Sequence, residues 1–162
     1  MQPLADLLAG TVTRLEQLGA HDEALAALKL GRGIGNLRTP PMLIPVGRAW
    51  RLGVVLLDRL GNLYATGEVT RAIEPQIAVT NRSDEAERKR ELRRMAARGP
   101  FAEGETINVD FSMLDLDDAA LARGEGPLSL ADSGEVLVRL PSGSDIHFEK
   151  YLADRVGLFN LD

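Results

Sequence analysis

The chain has 162 residues, a formal net charge of -5 and no cysteine. This length suits one ordinary domain with a sizeable core, so the sequence predicts a single domain over residues 1–162. The absence of cysteine excludes disulfides, thiolate catalysis and cysteine-ligated zinc or iron–sulfur clusters. No apolar stretch approaches the roughly 20 residues that a bilayer requires. We therefore expect no membrane partner. The negative charge disfavours polyanions as partners, so we expect no nucleic-acid partner either.

The N-terminal residues do not resemble an export signal. Residues 1–6 have no basic segment followed by an apolar run, which predicts a cytoplasmic protein. The only histidines are His21 and His147. We expect no cofactor and no bound metal.

The first 31 residues have a helical periodicity. Leucines recur at three- and four-residue steps before Gly19, which is suited to end a helix. Asp22 can cap a second helix that ends in a glycine-rich stretch. We therefore predict an antiparallel helical hairpin at residues 1–31, and a connector rich in glycine and proline at residues 32–45.

Residues 46–162 are predicted to form a sheet with helices. Residues 50–57 are apolar on both faces beyond the arginine at 51, as in a central strand, and the loop at 58–62 turns the chain into a paired strand at 63–66. Alternation and turn residues predict further strands. These lie at residues 68–73, 76–80, 105–113, 128–130 and 136–140.

A charged helix is predicted in the middle of the chain, at residues 83–98. Ser83 can cap it, acidic residues occupy its first turns, arginines occupy its last turns, and Gly99 ends it. A short helix is predicted to begin at Asp117. Residues 144–157 fit either a strand followed by a helix or one helix, and we favour the first.

The order of these elements indicates the fold class. Strands precede and follow the middle helix without the regular strand–helix alternation of a parallel α/β sheet. The sequence therefore predicts an α+β fold with a mainly antiparallel sheet of about five to seven strands, an N-terminal helical hairpin and a charged middle helix.

A group of basic and aromatic residues is the strongest candidate for a binding site. The only tryptophan, Trp50, lies between Arg48 and Arg51 at the start of the core strand. Guanidinium groups beside an aromatic plane can bind a carboxylate or a phosphate. Tyr64 on the returning strand and Arg71 beyond it complete the predicted ligand site. The alternative is that these arginines only anchor the ends of strands.

Two other groups could support catalysis. His147 beside Glu149, on one face of a strand, could be a general base with an orienting carboxylate, or simply a surface histidine. An acidic cluster could hold a metal ion, but its spacing fits no calcium loop, so a loop capped by Asp117 is the better explanation. This cluster consists of Asp110, Asp115, Asp117 and Asp118.

Two sequence blocks carry a resemblance to known proteins. They are Ile-Pro-Val-Gly-Arg-Ala-Trp-Arg-Leu-Gly-Val at residues 44–54 and Leu-Tyr-Ala-Thr-Gly-Glu-Val-Thr-Arg-Ala at residues 63–72. Both resemble blocks in a group of uncharacterised bacterial proteins, over about residues 42–112. The resemblance implies a bacterial source and assigns no activity, cofactor or site.

The sequence leaves three functional hypotheses. The favoured one is a non-enzymatic domain that binds a small anionic ligand or a protein partner, as a homodimer. The alternative is a hydrolase or a metal-assisted enzyme that uses His147 with Glu149, or the acidic cluster. In the third, the charged helix is a docking surface in a larger assembly.

Overall fold

The structure is a computed structural model, and it describes residues 3–75 and 83–161. The predicted strand at residues 76–80 lies outside the described residues. The helices are α1 (Leu4–Gln17), α2 (Asp84–Arg98), α3 (Asp118–Arg123) and α4 (Phe148–Leu158). The strands are β1 (Glu23–Lys29), β2 (Met42–Leu52), β3 (Val55–Leu57), β4 (Leu63–Ala65), β5 (Glu68–Arg71), β6 (Thr106–Val109), β7 (Ser112–Met113), β8 (Leu128–Leu130), β9 (Val136–Arg139) and β10 (Asp145–His147).

The described strands form two sheets. The larger one has seven strands in the order β5-β6-β1-β2-β3-β4-β7, and the smaller one has the order β10-β9-β8. The pair β1–β6 is parallel, whereas β2–β3, β3–β4, β4–β7 and β5–β6 are antiparallel. The predicted α+β class with a mainly antiparallel sheet is confirmed.

The chain divides into two compact units that interleave along the sequence. Unit 1 consists of Met1–Asp22, Ala49–Thr66 and Phe111–Asp162, and unit 2 consists of Glu23–Arg48 and Gly67–Asp110. Strand β2 contributes residues to both units. That the chain is one domain stays a prediction.

Unit 1 has the larger hydrophobic core. Its buried residues come from α1, from the β2–β3–β4 meander and from the C-terminal third of the chain. Trp50, Leu57 and Phe148 are among its fully buried side chains. Burial of a large aliphatic or aromatic side chain contributes about 1.5–3 kcal/mol, so this core is the main source of stability in unit 1.

Unit 2 has a smaller core between its strands and α2. Ala24, Ala26, Ile107 and Ala96 are buried there. Asn108 is fully buried as well, and its amide donates to the carboxylate of Glu23 and to the Ala24 carbonyl. The polar group is therefore satisfied inside the sheet.

The predicted helical hairpin is wrong in its second half. Helix α1 ends where predicted, with Gly19 in a left-handed conformation, but residues 23–29 form strand β1. A tract of nine residues is too short to be a stable helix without packing, whatever its alanine and leucine content. Pairing with β6 and β2 decides the outcome. The sheet thus begins before residue 46, and the connector shortens to residues 30–41.

Two predicted strands are each divided. The apolar run at residues 50–57 contains the end of β2, a turn at Gly53 with φ of 69° and all of β3, so two antiparallel strands share it. The alternating run at 105–113 is broken at Asp110, which has φ of 55°. Ile107 and Val109 are buried as predicted, whereas Met113 is exposed. In both cases a local change of backbone conformation interrupts an apolar pattern that continues along the sequence.

The remaining elements match the predictions. The charged helix is capped by Ser83, which accepts from the Ala86 amide, and α3 is capped in the same way by Asp117. Hairpins β3–β4 and β8–β9 are present, and residues 145–158 form a strand followed by a helix. Among the helices that the structure describes, none has the length and apolar character to span a bilayer.

Candidate functional site

The predicted ligand residues are distributed between the two units. Trp50, Arg51 and Tyr64 belong to unit 1, and Arg48 and Arg71 belong to unit 2. Each group is therefore described within its own unit.

Trp50 is part of the core of unit 1. Its side chain is 1% exposed, and its ring N–H donates to the Ala20 carbonyl at 3.0 Å. The guanidinium of Arg59 lies 4.6 Å from the centre of the ring and also pairs with Asp22 at 2.6 Å. The cation that stacks on the indole thus comes from the β3–β4 loop, a contact that we did not predict. With its polar group bonded and its face covered, Trp50 has a structural role.

Tyr64 and Trp50 lie on opposite faces of the meander. The strand register places Tyr64 in one row with Leu56 and Arg51, and places Trp50 in the other row with Leu57. The Tyr64 ring packs edge-to-face on Phe111, with 5.5 Å between the ring centres. The two aromatic residues therefore do not line one pocket.

The hydroxyl of Tyr64 belongs to a hydrogen-bonded cluster around Asp58. It donates to the Asp58 carboxylate at 2.8 Å. Burial raises the pKa of Tyr64 to about 12, with a further contribution from the negative charge of Asp58. Burial would also raise the pKa of Asp58, but hydrogen bonds from Asn62, Tyr64 and two backbone amides outweigh it and hold that pKa below its usual value. The cluster stabilises the hairpin loop.

Arg48 has a carboxylate partner in unit 2. Its guanidinium contacts the Glu105 carboxylate at 2.5 Å, with 44% of the Arg48 side chain exposed. This contact agrees with the alternative in which the arginine anchors a strand.

Arg71 lies in a cleft between β5 and α2 that we call the cation cleft. The cleft has a volume of about 340 Å³. It is lined by Glu68, Val69, Thr70, Arg71, Arg88, Lys89, Leu92 and Arg93. Four cations and one carboxylate therefore face a small space with two apolar side chains.

Local structure explains how these cations come together. On α2, Arg88 and Leu92 are four residues apart, as are Lys89 and Arg93, so all four lie on one side of the helix. On β5, Val69 and Arg71 are exposed while Thr70 is buried. The helical spacing was visible in the sequence, but the strand that this side of α2 packs against was not.

The charges in the cation cleft are only partly paired. Arg88 contacts Glu68, and Lys89 contacts Glu85 at 3.3 Å. Arg71 and Arg93 form no ion pair within the residues that the structure describes. The cleft therefore presents two guanidinium groups that no described carboxylate neutralises.

The candidate catalytic histidine lies in unit 1, in what we call the unit 1 groove. The groove has a volume of about 700 Å³. Its lining is Pro3, Leu4, Leu7, Leu116, Asp118, Leu121, Leu130, Gly134, Glu135, Val136, His147, Phe148, Glu149, Lys150 and Ala153. The predicted placement of His147 and Glu149 on one strand is wrong, because Glu149 lies in the first turn of α4.

The contacts of His147 do not form a nucleophile–base pair. Its Nδ1 lies 3.4 Å from a carboxylate oxygen of Glu135, and the Ser133 hydroxyl donates to the same oxygen at 3.3 Å. The carboxylate thus lies between the hydroxyl and the imidazole, whereas activation of serine requires the imidazole to accept the hydroxyl proton. No hydrogen bond joins His147 to a serine among the described residues.

The acidic cluster is divided as well. Asp117 caps α3 by accepting from the Ala120 amide at 2.7 Å, and Asp115 accepts from the Asp117 amide. Asp110 belongs to unit 2, unlike the other three. Across residues 3–75 and 83–161, no three acidic or histidine side chains converge to hold a metal ion.

Comparisons of the chain with protein-family models, with curated proteins and with solved structures find no match. The resemblance of residues 42–112 to uncharacterised bacterial proteins stays a prediction. Any functional conclusion therefore depends on the geometry.

Proposed function

We propose that this protein binds a small anionic ligand in the cation cleft. The observation that supports the proposal is the pair Arg71 and Arg93, which lie beside Arg88 and Lys89 in one cleft and have no carboxylate partner in the described chain. Guanidinium groups bind carboxylates and phosphates through two parallel hydrogen bonds. The site differs from the predicted one, of which it retains only Arg71.

The size and lining of the cleft restrict the ligand. About 340 Å³ is at the low end of the volumes found for small-molecule sites. Val69 and Leu92 add an apolar surface beside the cations. We therefore expect a compact ligand with a phosphate or carboxylate group and a short carbon skeleton.

The class of partner, the compartment and the assembly are also proposals. A net charge of -5 makes a long polyanion a poor partner, so a single small anion suits the four local cations better. We retain the cytosol as the proposed compartment and a homodimer as the proposed assembly. The enzyme hypothesis gains no support from the contacts of His147 described above.

Calorimetric titration with inorganic phosphate, phosphate monoesters and short dicarboxylates tests the proposal. Thermal unfolding is the second measurement. An anion that binds should raise the unfolding temperature, since a ligand at 100 times its Kd adds about 2.7 kcal/mol of stability. Arg71→Ala and Arg93→Ala should each weaken binding about tenfold to a hundredfold, because a hydrogen bond to a charged group is worth about 1.5–3 kcal/mol.

Two controls locate the site. Arg14→Ala removes an exposed arginine from α1 in unit 1 and should leave the affinity unchanged. Arg48→Ala tests the site predicted from the sequence, and we expect it to have little effect on anion affinity. Binding that is lost in Arg48→Ala and retained in Arg71→Ala would move the site to Arg48. Absence of binding across the anion panel would reject the proposal.

A further inference from the structure

A basic and apolar segment is exposed in unit 2. We call residues 27–40 the arm. Every residue of the arm whose side chain the structure describes is exposed, including Leu28, Leu30, Ile34 and Leu37. Ile34 and Leu37 are 89% and 86% exposed. Single exposed leucines are ordinary, but four large apolar side chains within ten residues are typical of a binding surface.

The charge of the arm has one sign. Its charged residues are Lys29, Arg32 and Arg38, and the sequence has no Asp or Glu from residue 24 to residue 57. The chain as a whole carries -5, so the remainder is strongly acidic. The arm is thus suited to an acidic and apolar surface.

Hydrogen bonds close the arm into a loop. The Thr39 amide donates to the Arg32 carbonyl at 3.0 Å, and the Arg32 amide donates to the Thr39 hydroxyl at 3.0 Å. A Cβ at Gly31 or Gly33 would collide with the opposite side of this loop, and Gly33 has φ of 130°. These contacts restrain the loop, and a restrained loop loses less conformational entropy on binding than an open one does.

The unit 1 groove has the complementary chemistry. Its interior is apolar, with Leu4, Leu7, Leu121 and Val136 among the side chains that line it. Its ionisable lining residues are Asp118, Glu135, Glu149, Lys150 and His147. Three carboxylates outnumber the lysine and the histidine together, so the groove is acidic. Its volume of about 700 Å³ accommodates several aliphatic side chains.

We propose that the chain forms a homodimer in which the arm of each copy lies in the unit 1 groove of the other. Ile34 and Leu37 enter the apolar interior, and Arg32 and Arg38 face the carboxylates of the groove. The partner is a second copy of this chain because the chain itself carries both surfaces, matched in polarity and in charge. A two-fold arrangement uses the contact twice, which helps to reach the roughly 1,200–2,000 Å² of a stable interface.

Sedimentation equilibrium of the wild-type protein and of the variant Ile34→Asp with Leu37→Asp is the first test. The wild type should have twice the chain mass of 17.6 kDa, and the variant should lose the dimer. Leu60→Asp with Leu161→Asp is the matched control. It changes two side chains that are 88% and 79% exposed outside the arm, and it should remain dimeric.

A charge exchange tests which surface the arm contacts. The first variant, Arg32→Glu with Arg38→Glu, changes the arm and places an acidic arm against an acidic groove. The second variant, Glu135→Arg with Glu149→Arg, changes the groove and places a basic arm against a basic groove. Each variant alone should be monomeric. A mixture of the two restores opposite charges at both contacts, so it should form a one-to-one heterodimer.

Three results would overturn the proposal. They are a monomeric wild type, a dimer that survives the substitutions at Ile34 and Leu37, and a mixture of the charge-exchanged variants that stays monomeric. A monomeric wild type would mean that the arm serves a different molecule. Anion binding by the cation cleft is measured separately, and neither outcome there bears on the dimer.

Discussion

Asp58 accepts hydrogen bonds from four donors of its own hairpin. These are the backbone amides of Leu60 and Asn62, the side-chain amide of Asn62 and the hydroxyl of Tyr64, at 2.8–3.0 Å. The arrangement closes the β3–β4 loop around one charge. Hydrogen bonds to charged groups are stronger than those between neutral groups, so this single carboxylate stabilises the loop substantially.

Replacement of Asp58 by alanine should lower the free energy of unfolding by about 1–3 kcal/mol, because the four donors lose their acceptor. Urea denaturation followed by circular dichroism measures the change. The matched control is Asp132→Ala, an exposed aspartate in the β8–β9 turn, which should change stability by less than about 0.5 kcal/mol. Equal effects of the two substitutions would show that the cluster contributes nothing.

Acid should weaken the same cluster. The pKa of Asp58 lies below its ordinary value of 3.8, so its contribution to stability is complete above that pH and is lost as the pH falls through the lower folded value. The wild type should therefore lose more stability on acidification than Asp58→Asn. Parallel pH profiles of unfolding free energy for the two proteins would contradict this.

Tyr64 gives a prediction at alkaline pH. Its pKa is raised from 10.0 to about 12, so the unfolded chain releases the phenolic proton at lower pH than the folded chain does. The contribution to stability is complete below the unfolded pKa and is lost as the pH rises through the folded one. Denaturation at increasing pH above about 10 should show this loss in the wild type and a smaller one in Tyr64→Phe.

The turn between β2 and β3 depends on a helix far away in the sequence. The Tyr151 hydroxyl of α4 donates to the Leu52 carbonyl and accepts from the Val54 amide, both at 2.9 Å. A Cβ at Gly53 would collide with that hydroxyl, and Gly53 has a left-handed φ of 69°. The turn and the helix therefore stabilise each other.

A double-mutant cycle measures this coupling. Gly53→Ala should destabilise the protein by at least about 1–2 kcal/mol from its left-handed backbone, and further through the collision with Tyr151. In a Tyr151→Phe background the collision with the hydroxyl is absent and only the closer approach to Arg155 remains, so the same substitution should cost less. Strictly additive effects in chemical denaturation would mean that the hydroxyl does not constrain the turn.

At the scale of the whole molecule, unit 1 is assembled from three separated stretches of chain. Residues after 110 supply seven of the fifteen buried side chains in its described core, including Phe148 and Leu152. The core around Trp50 therefore cannot be completed by the N-terminal part of the chain. Contacts between residues so far apart form only after a large loss of chain entropy.

Trp50 makes this dependence measurable, because it is the only tryptophan and is fully buried. A chain that ends at Asp110 should show the red-shifted fluorescence of an exposed indole. Phe148→Ala in the full chain should keep the blue-shifted emission and lose about 3–5 kcal/mol of stability. Leu158→Ala on the exposed side of α4 is the control and should be close to neutral. Blue-shifted emission from the shortened chain would contradict the conclusion that residues after 110 are needed to bury Trp50.

The sequence predicted the elements that have strong local signals. Helix α2 has a serine N-cap, acidic residues in its first turn, an arginine in its last turn and a glycine C-cap. Hairpins β3–β4 and β8–β9 have turn residues between apolar strands. Residues 23–29 have a local signal that favours the wrong element, because alanine and leucine are strong helix formers and alanine is depleted in strands. Their conformation follows from pairing with β6, whose sequence lies more than 75 residues away.

The ligand site predicted from the sequence and the proposed cation cleft share Arg71, which lies beside cations of α2. The prediction grouped Arg51 with Arg48 and Trp50, but successive strand residues point to opposite faces, so Arg51 faces away from Trp50. The cations on α2 were interpreted as a solvated surface, since nothing in their spacing names the strand they face. Packing of α2 on β5 brings Arg88 and Arg93 to Arg71.

The sequence by itself determined the net charge, the absence of thiol chemistry, the α+β class and the long stretch without acidic residues that contains the arm. These follow from composition and from interactions between residues close along the chain. Only the tertiary structure decided the strand order, the burial of Trp50, the cation cleft and the unit 1 groove. They depend on contacts between distant segments, whose free energy is set by complementary surfaces that no local pattern specifies.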